Sequence, residues 1–388
     1  MAATIETTDV LLIGAGVASV RCARTLHREG FDGRIVLVGD EPAAPYNRPP
    51  LSKELLRDDL PDDLVLAEAA SWYERRNVEL LTGHRVVGLD LPSKAASLDD
   101  GTRIRFDRCL VATGAEPRPL PVPGGGDALL LRTLADARRL RQRSTAAGSG
   151  APVVIVGGSF IGIEVASSLA TLGLRPTIVE IGERLWAGRL GTALATWVAD
   201  QLGAAGVALR LGAGVTRIDE SRAWLGDELL PAAFVVAGVG VHPRVELAER
   251  AGLEVSDGIV VDDQQRTSHP AAWAAGDVAR RGAGRIEHWH AAREDGERAA
   301  RAMLGLSVDP APEPWFFSEV AGTPLDVVGV AAAWDEERWL GDRVLAFAER
   351  GRIVQLAAIG SAMDAGRMRE LVAARVSVDA VTADIGSG

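Results

Sequence analysis

The apolar run at residues 10–13 (Val-Leu-Leu-Ile) stops at Gly14. From Val17 to Arg28 the apolar positions recur instead at helical spacing, with Val20, Ala23 and Leu26 on one face and Gly30 as the stop. A second β-branched run at 34–38 closes the unit. A continuous buried strand, a one-faced helix and another buried strand predict a parallel βαβ unit. The same alternation returns at 152–156, at 163–172 closed by Gly173, and at 175–180. Short strands are expected at 78–81, 86–89 and 96–98, with Asp99-Asp100-Gly101 as a hairpin turn. Further strands are expected over 108–118 and 234–243, each running into a small-residue turn, and at 259–261. A buried strand from Trp273 ends in Gly276-Asp277, with helix-like sequence from there to Leu304. Past a proline-rich linker at 307–314 the pattern changes. Residues 327–330, 344–348 and 353–357 read as antiparallel strands, and about 363–374 as a helix. That is the pattern of a small α+β domain.

Composition narrows the function little but excludes some classes. The 388 residues suggest roughly two to three domains. Net charge is −11, which argues against nucleic acid as a partner. No uninterrupted apolar segment is long enough to span a membrane, and no basic region precedes an apolar one at the N-terminus. A cytoplasmic protein with no membrane partner is expected. Cys22 and Cys109, the two cysteines, fall in apolar elements and form no C-x-x-C, so they read as buried free thiols. The six histidines show no ligand spacing, and no metal site is expected.

Candidate chemistry lies at the turns. Gly14, Ala15 and Gly16 with Ala18 and Ser19 read as G-x-G-x-x-S, a tight turn stripped of Cβ where a pyrophosphate can approach amides at a helix N-terminus. Asp40 and Glu41 end the second strand, where an acidic group accepts ribose hydroxyls. The second fingerprint runs Gly157, Gly158, Ser159, Phe160, Ile161, Gly162, with Glu180 ending its next strand. Two such units in one chain make a strong signal. Ser159 also invites a hydrolase reading, but G-x-S-x-G needs glycine at 161 and Ile161 stands there. The stiff proline-rich loop at 42–53 carries Arg48 and Lys53. Small residues at Ala112-Thr113-Gly114, Gly238-Val239-Gly240 and Gly276 allow close backbone approach. Asp277 reads either as a helix N-cap or as a grip on a cofactor chain.

Taken with Arg48-Pro-Pro-Leu-Ser-Lys53, Leu131-Arg-Thr133 and Ala275-Gly-Asp277, these residues resemble the FAD-dependent pyridine nucleotide oxidoreductases with two dinucleotide-binding domains, and within them the ferredoxin reductase group. The resemblance implies a glutathione reductase-like α/β fold: two Rossmann-like domains, FAD-binding over 1–114 and 241–310 and NAD-binding over 115–240, plus a C-terminal α+β domain over 311–388. It implies FAD on Gly14 to Ser19, with Asp40 and Glu41 at the adenosine ribose, Arg48 at the phosphates or nearby backbone, Val86 at the adenine, Arg132 nearby and Asp277 at the ribityl chain. It implies NAD(H) on Gly158 to Ile161 with Glu180 at its ribose. Lys53 and Glu164 match the family's ion pair beside the flavin, and Glu287, His288 and Trp289 its lining near the rings. The implied activity is hydride transfer from NADH to FAD, then single electrons to an iron–sulfur ferredoxin that feeds a haem monooxygenase or ring-hydroxylating dioxygenase. A rubredoxin- or nitrite-reductase-linked enzyme, a flavin NADH oxidase and a redox-controlled binding flavoprotein stand as alternatives. A monomer or weak homodimer is expected. Three departures stand out: no redox cysteine pair, Pro314-Trp-Phe-Phe-Ser-Glu319 where the group usually has Pro-Trp-Phe-Trp-Ser-Asp, and the region after Glu319.

Overall fold

The computed structural model describes residues 5–57, 60, 64–186, 189–219, 221–282 and 284–385. The chain divides into two compact units, 1–48 with 61–116 and 242–311, and 49–60 with 117–241 and 312–388.

The first unit is built on strands β1 (Ile5–Ile13), β2 (Ile35–Gly39), β3 (Val78–Thr82), β4 (Val86–Asp90), β5 (Ala95–Leu98) and β6 (Arg103–Val111). Their order is β3-β2-β1-β6-β5-β4, and Ala272–Ala274 pairs in parallel with β6. β3, β2, β1 and β6 are mutually parallel, while β4 and β5 form an antiparallel hairpin on β6. Successive side chains of β1 enter opposite cores. Val10 and Leu12 pack with helix α1 (Val17–Arg28) and the helix Trp289–Met303, while Leu11 and Ile13 pack with Leu98, Ile104 and Leu253. Burial on both faces is why the strand reads as a continuous apolar run rather than an alternating one. The two helices meet closely. A Cβ on Gly296 would sit 2.1 Å from the Ala18 carbonyl oxygen, so only glycine allows this approach.

The second unit holds a parallel sheet in the order Ala208–Leu211, Arg175–Glu180, Pro152–Val156, Val235–Ala237. The helix Phe160–Thr171 follows the first of these strands in sequence. A three-stranded antiparallel sheet spans Arg217–Asp219, Arg222–Leu225 and Glu228–Pro231. A five-stranded antiparallel sheet runs in the order Trp315–Val320, Thr323–Val328, Arg352–Ile359, Val344–Glu349, Glu336–Leu340. Ile155, Ile163, Leu169 and Leu194 share one core cluster with Val320, Leu325, Leu345 and Phe347, and Leu56 joins it from the segment 49–60.

Several sequence expectations need correction. The helix expected directly after Gly276-Asp277 begins only at Trp289, with His288 as its N-cap, so Asp277 does not cap it. Gly276–Val278 forms a single 3₁₀ turn instead, and a short strand, Ala279–Arg281, follows. β6 starts five residues earlier than expected, because Ile104 and Phe106 are buried between exposed charged neighbours. The expected strand 234–243 is two short ones, Val235–Ala237 and Val241–Pro243. The C-terminal sheet has five strands where three were expected.

Candidate functional site

In the first unit the glycine turn is shaped as its sequence demands. Gly14 has φ +107°, and a Cβ there would lie 2.2 Å from the Ala112 carbonyl oxygen. Both backbone freedom and absence of a side chain are therefore required. Gly39 is needed for a similar reason, since its Cβ would fall 2.4 Å from that of Ala15. Gly16 is the N-cap of α1 and supplies no side-chain cap, and nothing lies within 4 Å of where its Cβ would be. The helix thus presents uncapped amides and its positive dipole end to open space. Ser19 is fully buried, and its hydroxyl has no hydrogen-bond partner among the described residues. This cradle fits the pyrophosphate of a dinucleotide.

The acidic residues that end β2 are fixed by cations. Arg244 Nη2 donates to Asp40 Oδ2 at 2.8 Å, with Arg85 3.9 Å away. Burial alone would raise the Asp40 carboxyl, but the hydrogen bond and charge of Arg244 outweigh it and hold the group below its ordinary value. Arg244 also receives the Thr113 hydroxyl on its carbonyl oxygen at 2.7 Å, and its own N–H donates to the Gly114 carbonyl. One residue therefore ties the Thr113-Gly114 turn to Asp40. Nothing in the sequence marks Arg244, which lies in no motif. Glu41 accepts from Tyr46 Oη at 2.6 Å and Arg48 Nη2 at 2.9 Å, and the Arg48 guanidinium lies 5.8 Å from the Tyr46 ring centre. Val86 is buried and paired with Leu98. Gly276 has φ +77° and packs against Ala18 and Ala292. Glu287 pairs with Arg285 at 2.7 Å. Trp289 Nε1 donates to Asn47 Oδ1 at 3.1 Å, and Arg293 lies 4.5 Å from its ring centre.

The second unit repeats the turn with different fittings. A Cβ on Gly157 would meet the Gly238 carbonyl oxygen at 2.4 Å, and one on Gly162 the Gly157 carbonyl oxygen at 2.1 Å. Ser159 caps its helix by accepting from Gly162 N–H at 3.1 Å. That is a structural use of the hydroxyl, and the hydrolase reading ends there. Glu180 accepts from Gly158 N–H at 2.6 Å and from Gly182 N–H at 2.8 Å, so its carboxylate is locked at the strand end beside the turn. The nearby arginines are engaged elsewhere: Arg184 donates to Thr192, and Arg175 donates to the Gly150 carbonyl at the opposite end of the strand. Phe160 lies against Trp186 with ring centres 4.6 Å apart, and Ile161 is 42% exposed. Val239 and Gly240 follow Gly238 at the end of the adjoining strand, and Arg132 precedes Thr133, which caps the helix Leu134–Ala147.

The same unit buries an ion pair. Lys53 Nζ lies 2.9 Å from Glu164 Oε2, with side chains 9% and 5% exposed. Ser52 Oγ donates to the same oxygen at 2.5 Å, and Ser318 Oγ donates to Oε1 at 2.9 Å. The Lys53 ammonium stands 5.9 Å from the Phe317 ring centre. Ser52 and Ser318 lie within the runs Arg48 to Lys53 and Pro314 to Glu319, but nothing in those runs marks either hydroxyl as a partner of Glu164. Buried charges are tolerated only when paired and hydrogen-bonded, and this carboxylate has all three donors it needs.

Both cysteines are fully buried, and burial raises both thiols, Cys109 up to about 12 and Cys22 further. A thiol sealed in the core and held protonated is a poor nucleophile and a poor electron relay. Among the described residues one grouping could offer three metal donors, His84 with Asp99 and Asp100. Asp99 and Asp100 already accept from the Arg85 and Thr102 backbone N–H groups, as turn residues do.

The chain matches the model of the pyridine nucleotide-disulphide oxidoreductases over residues 8–296. It is 34% identical to the benzene 1,2-dioxygenase system ferredoxin–NAD(+) reductase subunit of Pseudomonas putida, over 95% of this chain and 93% of that one. It is 35% identical to the biphenyl dioxygenase system ferredoxin–NAD(+) reductase component of Paraburkholderia xenovorans (strain LB400), over 97% and 96%. Its structure superposes on the reductase of the covalent putidaredoxin reductase–putidaredoxin complex with a TM-score of 0.91 at 28% identity, covering 97% of this chain and 95% of that one. With two glycine cradles and a family match that spans both, the chain belongs to the pyridine nucleotide-disulphide oxidoreductase family.

Proposed function

We infer that this protein is an FAD-dependent ferredoxin–NAD(+) reductase that draws on NADH. The observation that carries the reading is the pair of glycine cradles, each closing on a helix N-terminus with an acidic residue at the neighbouring strand end. FAD belongs to the cradle at Gly14, Gly16 and Ser19, and NADH to the cradle at Gly158 to Ile161. The bound flavin supplies the conversion of a two-electron hydride into single electrons. The protein's part is to hold and align the two nucleotides and to place the buried Lys53–Glu164 charge pair. With Cys22 and Cys109 sealed in the core, no thiol relay is available, so electrons leave to a one-electron carrier, an iron–sulfur ferredoxin. The carrier serves a haem monooxygenase or a ring-hydroxylating dioxygenase. Glu180, locked at the strand end while Arg184 and Arg175 are engaged by other partners, favours NADH over NADPH. No helix among the described residues is long and apolar enough to cross a membrane, which agrees with a cytoplasmic enzyme.

The test is steady-state cytochrome c reduction by NADH with and without ferredoxin. The reading expects a slow rate alone and a steep rise with ferredoxin. An equally fast rate with oxygen as sole acceptor would replace the carrier with an oxidase activity.

A further inference from the structure

The helix Trp289–Met303 carries a carboxylate that the reading above does not use. Asp295 is 16% exposed at its side chain and lies one residue before Gly296, the site of closest approach to α1. Its Oδ2 accepts from Gly276 N–H at 3.2 Å, and its Oδ1 accepts from Gln265 Nε2 at 2.7 Å. Both partners occupy the left-handed region, Gly276 at φ +77° and Gln265 at φ +61°. For glycine that conformation is free, but for buried Gln265 it is strained and must be held by its surroundings. Gln265 also accepts from Ala274 N–H through its backbone carbonyl, so both tethers act on the strand that delivers Gly276 and Asp277.

We propose that Asp295 is a positioning residue for the flavin, clamping the Gly276–Asp277 turn so that Asp277 is presented to the cofactor's polyol chain. The proposal rests on the FAD reading. The charged and titratable groups around the carboxylate are Arg281, whose Nη1 is 3.7 Å away, Arg298 and Glu294 on its own helix, and Asp263, which lies 4.0 Å from Arg281 Nε. Burial pushes the Asp295 carboxyl up to about 6, against the pull of Arg281, the Gly276 N–H and Arg298. The clamp therefore changes charge within the range in which flavoproteins are handled. A hydrogen bond to a carboxylate is about twice as strong as one to a neutral acceptor. Protonation weakens both tethers while leaving the fold in place.

The test follows FAD release from the holoprotein by the fluorescence of free flavin, from pH 5 to pH 8. The wild type is compared with Asp295→Asn, a near-isosteric neutral acceptor, and with Asp295→Leu. In the wild type, release should quicken about three- to tenfold as pH falls through 6, the worth of a weakened charged hydrogen bond. In Asp295→Asn it should be flat and equal to the wild type's acid rate, and in Asp295→Leu faster still at every pH. Circular dichroism of both variants separates loosened flavin from lost fold. A wild-type pH dependence that survives in Asp295→Asn would overturn the proposal, as would a flat wild-type profile. A wild type that purifies without flavin and takes up none would instead refute the FAD reading.

Discussion

Ser318 Oγ donates to Glu164 Oε1 at 2.9 Å, on the oxygen opposite the one that holds Lys53. The Trp315–Val320 strand of the C-terminal sheet therefore sets the orientation of the buried ion pair. Phe317, next to Ser318, faces the Lys53 ammonium, and Glu319 pairs with Arg57. Lys53→Ala should leave Glu164 a buried, half-paired carboxylate and cost about 3–5 kcal/mol of stability. Ser318→Ala removes one neutral donor to a charged group and should cost roughly 1.5–3 kcal/mol. Urea unfolding measures both. Single-turnover flavin reduction by NADH should slow more in Lys53→Ala than NADH binding weakens. An unchanged reduction rate would remove Lys53 from the mechanism.

The two glycines of the first cradle should fail differently. In Gly14→Ala the new methyl meets the Ala112 carbonyl in a backbone conformation that disfavours side chains. Strain and overpacking together should cost about 2–5 kcal/mol. In Gly16→Ala the methyl meets nothing, so stability should hold within about 1 kcal/mol while FAD affinity falls, because the methyl occupies the approach to the helix amides. Thermal melts and flavin content of the two variants distinguish these outcomes.

Glu180 should set the nucleotide preference. A 2′-phosphate about 6 Å from its carboxylate meets a repulsion of roughly 0.7 to 3 kcal/mol per charge, at an effective dielectric between 80 and 20. Glu180→Gln removes the charge and keeps one acceptor oxygen, so either the Gly158 or the Gly182 N–H retains its partner and the other loses it. Its NADPH-to-NADH ratio of kcat/KM should rise about threefold to a hundredfold. A ratio unchanged from wild type would show that Glu180 does not discriminate.

The raised Asp295 carboxyl has its own signature in stability. The fold favours the protonated form between the ordinary value of 3.8 and about 6, so this group's contribution is full below that window and lost as pH rises through it. At saturating FAD, Asp295→Asn should lack that loss and gain about 1–3 kcal/mol of stability relative to wild type above pH 6. Urea unfolding at pH 4.5 and pH 7.5 checks the sign.

The parts legible in the sequence are those where a local rule and the tertiary structure agree. Residues 10–13, the turn at Gly14 and the helix to Arg28 each follow from period and glycine placement, and the structure places them as expected. Glu336–Leu340 was missed because its sequence, Glu-Glu-Arg-Trp-Leu, buries only Leu340 and shows no alternation. Trp315–Val320 was hidden behind the proline-rich linker. Arg244, Ser318 and Asp295 act through partners distant in the chain, and such pairings leave no trace in spacing. Composition does not fix the distance from Gly276 to the next helix, so the sequence leaves Asp277 open between a helix cap and a cofactor contact. The turn Gly276–Val278 and the short strand Ala279–Arg281 lie in that interval.

The central claim, that NADH electrons leave this protein through flavin to a one-electron iron–sulfur carrier, is tested most directly by an anaerobic titration of the holoprotein. About one NADH per chain should bleach the flavin absorbance, and about two oxidised ferredoxins should restore it, since each accepts one electron. Flavin that stays bleached in excess ferredoxin and recovers only when air is admitted would contradict the claim.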